Sequence, residues 1–174
     1  MINIRKGLFE TNSSSTHAIC IGKNNHNLEI PSELTFKVGE FGWEERFLYD
    51  IEDRASYLYT LLLHICDGVI EEKLENIKNH IYELLGSVGC DCEFIPPTIG
   101  KYGWLEDGYV DHDYEAVDFV RKIINNDKML LKYLFSPDSF IVTGNDNSEW
   151  FDEWADEFEA SKESKKVDIY YKWN

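Results

Sequence analysis

The alternation of apolar and polar positions divides the chain into strands and helices. Ile2 and Ile4 alternate with Asn3 and Arg5, which predicts a strand over residues 1–6. Gly7 interrupts it, and Phe9 is a packing residue that holds Glu10 at the strand's end. A second strand is predicted over 17–21, beyond a ten-residue connection that is longer than a tight hairpin turn. Leu34, Phe36 and Val38 mark a short strand. It leads into Gly39-Glu40-Phe41-Gly42-Trp43, a sharp turn under aromatic cover. Over residues 50–66 the period becomes helical: Ile51, Ala55, Leu58, Leu62 and Ile65 fall on one stripe. Asp50, Glu52 and Asp53 sit at its start, where the helix dipole favours anions. Gly68 ends that run, and Ile70, Leu74, Ile77, Ile81 and Leu84 predict a second helix over 69–85. The two together suggest an antiparallel helical hairpin.

A strand over 90–95 stops at Pro96-Pro97, and residues 98–114 follow no regular period. Asp113 is placed to cap a third helix over 114–126, with Val117, Val120 and Ile124 inward. A short helix over 128–134 ends before Pro137. The apolar run at 139–143 is a strand that enters a turn at Gly144-Asn145-Asp146-Asn147. Residues 149–159 form an acidic amphipathic helix in which Trp150, Trp154 and Phe158 recur every four positions, and 167–173 is a closing strand. A polar linker at 161–166 precedes the closing strand, and no repeat or second domain boundary divides the chain. The expectation is a single α+β domain over 1–174, with a mixed or antiparallel sheet, a helical hairpin and further helices packed on it.

Composition narrows the function classes. The 174 residues include five Trp, ten Tyr and ten Phe, enough for a packed core. No apolar run approaches the about 18 residues of a membrane span, and the N-terminus lacks a signal-peptide pattern, so a cytoplasmic protein without membrane contact is expected. Cys20, Cys66, Cys90 and Cys92 contain no CxxC spacing, which argues against a structural zinc site. The formal net charge of −16 disfavours binding to naked nucleic acid. It suits a protein kept soluble by charge, or one that docks on a basic partner.

The chemistry concentrates in Glu10-Thr11-Asn12-Ser13-Ser14-Ser15-Thr16-His17, which supplies a carboxylate, a carboxamide, five hydroxyls and an imidazole in succession. A Ser/Thr-rich loop that caps its own backbone would use some of the same residues. Phosphodiester hydrolysis needs a base, an acid and charge stabilisation. Glu10 and His17 can form the acid/base pair, with Asn12, Ser13, Ser14 and Ser15 donating to phosphate oxygens. RNA brings its own 2′-hydroxyl as nucleophile. A metal route is also open, with Glu10 and either Asp111 or Asp146 holding Mg²⁺. The polar loops at 10–17, 111–112 and 144–147 are expected to converge on one pocket, which adds His112 and Asn145 to the candidates. A Ser nucleophile with His17 has less support, because there is no GxSxG elbow and no identifiable third triad member. His64 and His80 lie within predicted helices and read as structural.

Phe9 to His17, Thr143-Gly144-Asn145-Asp146-Asn147, Gly39 to Trp43 and Val110-Asp111-His112 together resemble a family of small phage and mobile-element proteins. The chain is similar to one branch of that family associated with type II anti-CRISPR proteins, which act against Cas9 by having its guide RNA truncated. The resemblance implies an inhibitor working on a Cas9–guide RNA complex in the bacterial host cytoplasm. It makes Glu10 the first catalytic candidate, with Asn12, the serines and His17 beside it. The acidic charge adds that RNA should be a substrate only when a basic protein presents it. A non-enzymatic alternative is occlusion of a partner's basic nucleic-acid channel, using the acidic helix. A third is an accessory protein with a peptide or small-molecule ligand.

Overall fold

The computed structural model describes residues 15–23, 27–66, 73–101, 105–145, 150–151, 153–156 and 167–173. In chain order the strands are β1 (Ser15–Gly22), β2 (Glu33–Phe36), β3 (Glu40–Phe41), β4 (Arg46–Leu48), β5 (Asp91–Phe94), β6 (Tyr109–Val110), β7 (Phe140–Asn145) and β8 (Val167–Trp173). The helices are α1 (Ile51–Ile65), α2 (Leu74–Ser87), α3 (Val117–Ile124) and α4 (Asp127–Phe135), with a 3-10 turn at Asp113–Ala116. The fold is α+β. The strand predicted at 1–6 and the start of the second predicted helix lie outside the described residues.

β1 is an inner strand of an antiparallel sheet ordered β4-β7-β1-β8. Every residue of β1 is buried, because both faces of the sheet are covered. Ile19 and Ile21 point into the main core with α1 and α4. Ala18 and Cys20 point the other way, Ala18 toward Phe151 and Ala155 and Cys20 beside Val167 and Trp154. Residues 150–151 and 153–156 are helical, and Trp150 and Trp154 stand edge-on to Phe47. Trp150 and Trp154 of the predicted aromatic stripe are therefore spent on the sheet. This strict alternation of faces is the two-residue period of a strand.

Two parallel pairs, β2 with β5 and β3 with β6, form separate two-stranded sheets. α1 packs on β2, β6, α3 and α4, and α2 lies on β5, the partner of β2, so that both helices bury residues in the same core. Gly89, at φ +85, ends α2 in the left-handed conformation that glycine adopts without strain. Arg54 locks the centre. Its guanidinium is buried and donates to the carbonyls of Tyr49, Leu134, Ser136 and Ser139. Those bonds fix α1 to the α4–β7 connection.

The structure corrects several local expectations. Gly144 and Asn145 belong to β7 and are not a turn, because pairing with Thr16 and Ser15 extends the ladder. Asp113 does not cap a helix: it opens the 3-10 turn, and its carboxylate binds His64 instead. α3 has no side-chain cap, whereas Asn126 caps the next helix, α4, by accepting from the Met129 N–H at 3.0 Å. Phe41 covers the Gly39 turn, but Trp43 is exposed. β4 and β6 are too short to leave a period in the sequence.

Candidate functional site

Strand pairing sets up the site. Residues opposite one another in an antiparallel pair share a face. Arg46, Thr143, His17 and Trp173 accordingly form one row across β4, β7, β1 and β8. Ser15 and Asn145 form the next row on the same face, since both lie two residues from the first. The period of two also brings Ser15 beside His17, and Ser15 Oγ lies 2.9 Å from His17 Nε2. On the far side of the ring, Tyr57 Oη of α1 lies 2.9 Å from His17 Nδ1. Trp173 stacks on the imidazole at 5.6 Å between centroids, and Thr143 Oγ1 donates to the Glu44 carbonyl at 2.7 Å.

Both ring nitrogens of His17 are thus engaged by hydroxyls. Burial is the main cause that pushes its pKa down from 6.5 to about 4; the nearby Asp111 charge opposes that shift and His112 adds to it. The imidazole is neutral at pH 7, with a proton on one nitrogen. If that proton is on Nε2, the ring donates to Ser15 and accepts from Tyr57; if on Nδ1, it donates to Tyr57 and accepts from Ser15. Burial also holds the Tyr57 phenol well above its usual pKa, so it stays protonated. Ser15, His17 and Tyr57 thus form a continuous buried hydrogen-bonded chain across the ring.

α1 stitches the surrounding loops to this row. Thr60 Oγ1 accepts from the Gly39 N–H at 3.0 Å, and His64 Nδ1 meets Asp113 Oδ2 at 2.6 Å. Tyr57, Thr60 and His64 lie at helical spacing, so they project from one side of the helix. The Asp111-His112 turn is carried by β6, whose backbone bonds to β3: Tyr109 N–H to Gly39 O at 3.0 Å and Asp111 N–H to Phe41 O at 2.9 Å. His112 sits at φ 55, the one left-handed non-glycine among the described residues, a conformation costing about 1–3 kcal/mol. It lines an open cleft of about 310 Å³ with His64, Tyr109, Asp111, Asp113 and Tyr114.

Of the residues singled out from the sequence, Ser15, His17 and Asn145 share a sheet face, and Asp111 and His112 lie within electrostatic reach of His17. Glu10, Asn12, Ser13, Ser14 and Asp146 lie outside the described residues. Of the candidate Mg²⁺ ligands, Asp111 alone is therefore placed. Among the described residues no three His, Cys, Asp or Glu side chains are arranged to hold a metal ion. Tyr57 and Trp173 had no sequence signal beyond their helix and strand. His64 does have a structural carboxylate partner, but it also lines the cleft. Comparison with protein-family models, with characterised proteins and with solved structures yields no match. Among the described residues no helix is long and apolar enough to cross a membrane.

Proposed function

We propose that this chain is a phage-derived inhibitor of Cas9 that truncates the guide RNA in the bacterial host cytoplasm, with the His17 row and the Asp111-His112 turn at its reaction site. The observation that supports this reading is that residue 145 pairs with Ser15 in the row next to His17, while the Asp111 and His112 charges, from a segment far away in sequence, act on the same neutral imidazole. In the reaction the RNA 2′-oxygen bonds to phosphorus as the bond to the 5′-oxygen breaks. One member of the Glu10–His17 pair takes the proton of the 2′-hydroxyl, and the other delivers a proton to the leaving oxygen. A phosphodiester charge beside His17 favours its charged form and restores the basicity that burial removes. Glu10 with Asp111 or Asp146 would hold Mg²⁺, which would stabilise charge on the phosphate.

A second reading is stoichiometric occlusion of a basic nucleic-acid channel. It draws on the full burial of Ser15 and His17 and on the −16 charge. A denaturing gel separates the two. Guide RNA, free and bound to Cas9, is incubated with the protein, with and without EDTA and beside Glu10→Ala. A discrete shortened guide, formed from the Cas9-bound RNA and lost in Glu10→Ala, supports the nuclease. Inhibition of Cas9 with an intact guide in every lane supports occlusion. Equal cutting of free and bound guide contradicts presentation by a basic protein.

A further inference from the structure

Two clefts adjoin along the β3–β6 ladder and share Tyr109 as a common wall. The larger, of about 310 Å³, holds Asp111, Asp113, His64, His112 and Tyr114 beside Tyr109. The smaller, of about 100 Å³, is lined by Glu40, Gly42, Trp43, Glu44, Arg46 and Tyr109. Three large aromatic rings stand open to solvent here: Trp43 at 53%, Tyr109 at 43% and Tyr114 at 60% exposure. Carboxylates outnumber cations along the two linings. The one guanidinium, of Arg46, is directed at the Glu40 carbonyl at 3.5 Å. Gly42 keeps the walls close, since a Cβ there would lie 3.2 Å from the Tyr109 ring and 3.3 Å from Asp111 Cβ.

This lining discriminates between ligand classes. A phosphate or a nucleic-acid backbone meets like charge in both clefts. A guanidinium is attracted by the carboxylates, which accept its N–H groups in a fork, and by the faces of Trp and Tyr, which stabilise a cation lying over them. The Trp-bearing acidic helix is the weaker candidate for such a contact, because Phe151 and Ala155 are buried and Trp150 and Trp154 pack on the sheet. We propose that the paired clefts receive arginine side chains from a basic segment of a protein partner, one on each side of Tyr109. This rests on the part of the reading above in which the chain works on a basic protein, and not on ribonuclease chemistry. It places the partner's contact beside the Asp111-His112 turn, so that docking and reaction share one face.

The test is an NMR titration of the full chain with an acetylated tetra-arginine peptide, a tetra-lysine peptide and 5′-AMP, at low and at moderate salt. Arginine peptide should shift signals of 40–46 and 109–115, bind more tightly than lysine peptide, and weaken as salt rises. Tyr109→Ala should lower its affinity roughly fivefold. Glu40→Gln with Glu44→Gln, both at exposed positions that do not hold the fold, should lower it by a similar roughly fivefold factor. Shifts confined to another surface, affinity unchanged in both variants, or no saturable binding of the peptide would each overturn the proposal. Movement of these signals by 5′-AMP and not by arginine would reassign the clefts to a nucleotide. Guide cleavage is not read in this experiment, so either reading can fail while the other stands.

Discussion

Lowering the pH places a charge inside the sheet at His17, and the cost can be worked from its surroundings. The ring is buried between Tyr57, Trp173 and Ser15, and its pKa of about 4 lies below the 6.5 of an unfolded histidine. Between those two values the unfolded chain binds a proton that the folded chain does not. Stability from this group is therefore present above pH 6.5 and is lost as the pH falls toward 4. From pH 7 to pH 5 the loss is about 2 kcal/mol, and it approaches about 3 kcal/mol by pH 4. Urea unfolding of the wild type and of His17→Gln at pH 7 and pH 5 isolates the effect. Gln cannot titrate, while every other carboxylate and histidine is common to both proteins. His17→Gln will be less stable at pH 7, but its loss on acidification should be smaller by about 2 kcal/mol. Equal losses in the two proteins would mean that His17 is not held neutral by its burial against Ser15 and Tyr57.

Substitutions at three further positions test the frame of the fold. Arg54→Met leaves the buried carbonyls of Leu134, Ser136, Ser139 and Tyr49 without their guanidinium, and should cost at least about 3 kcal/mol in urea unfolding. Arg54→Lys should recover less than half of that, since an ammonium cannot span all four carbonyls, and a loss under about 1 kcal/mol would refute the staple. In Gly108→Ala the new Cβ would lie 2.6 Å from the Gly39 carbonyl oxygen, a backbone clash that should cost about 1–3 kcal/mol and displace β3 from β6. Gly86→Ala, whose Cβ meets nothing within 4 Å inside α2, should instead gain about 0.5–1 kcal/mol, both glycine variants being read by the same urea unfolding.

The elements with a sustained period were legible in the sequence, and the isolated contacts were not. The stripe Ile51, Ala55, Leu58, Leu62 and Ile65 gave α1 to within a residue at each end, because one apolar face is all that a helix needs to declare itself. Val167–Trp173 was read for the same reason, with a period of two. β4 and β6, three and two residues long, exist because partners across the sheet hold them, and no local pattern encodes that. Gly144-Asn145-Asp146-Asn147 has the composition of a turn, whereas pairing with Ser15 keeps Asn145 in β7. Asp113 looked like a cap and serves His64, a partner 49 residues away. The candidate site was legible as residue types: Ser15, His17, Asp111, His112 and Asn145 all stood out as polar groups at element ends. Tyr57 did not, because its hydroxyl is one position on an otherwise ordinary helix, and only the tertiary fold aims it at His17.

The measurement closest to the central claim is the length of the guide RNA recovered from Cas9 after incubation with wild type and with Asp111→Asn, His112→Gln. Both positions are only partly buried, so the variant keeps its fold, which circular dichroism would verify. The account predicts a discrete shortened guide with the wild type and at least a tenfold slower appearance of that product with the variant. A full-length guide with the wild type, or undiminished truncation by the folded variant, would contradict it.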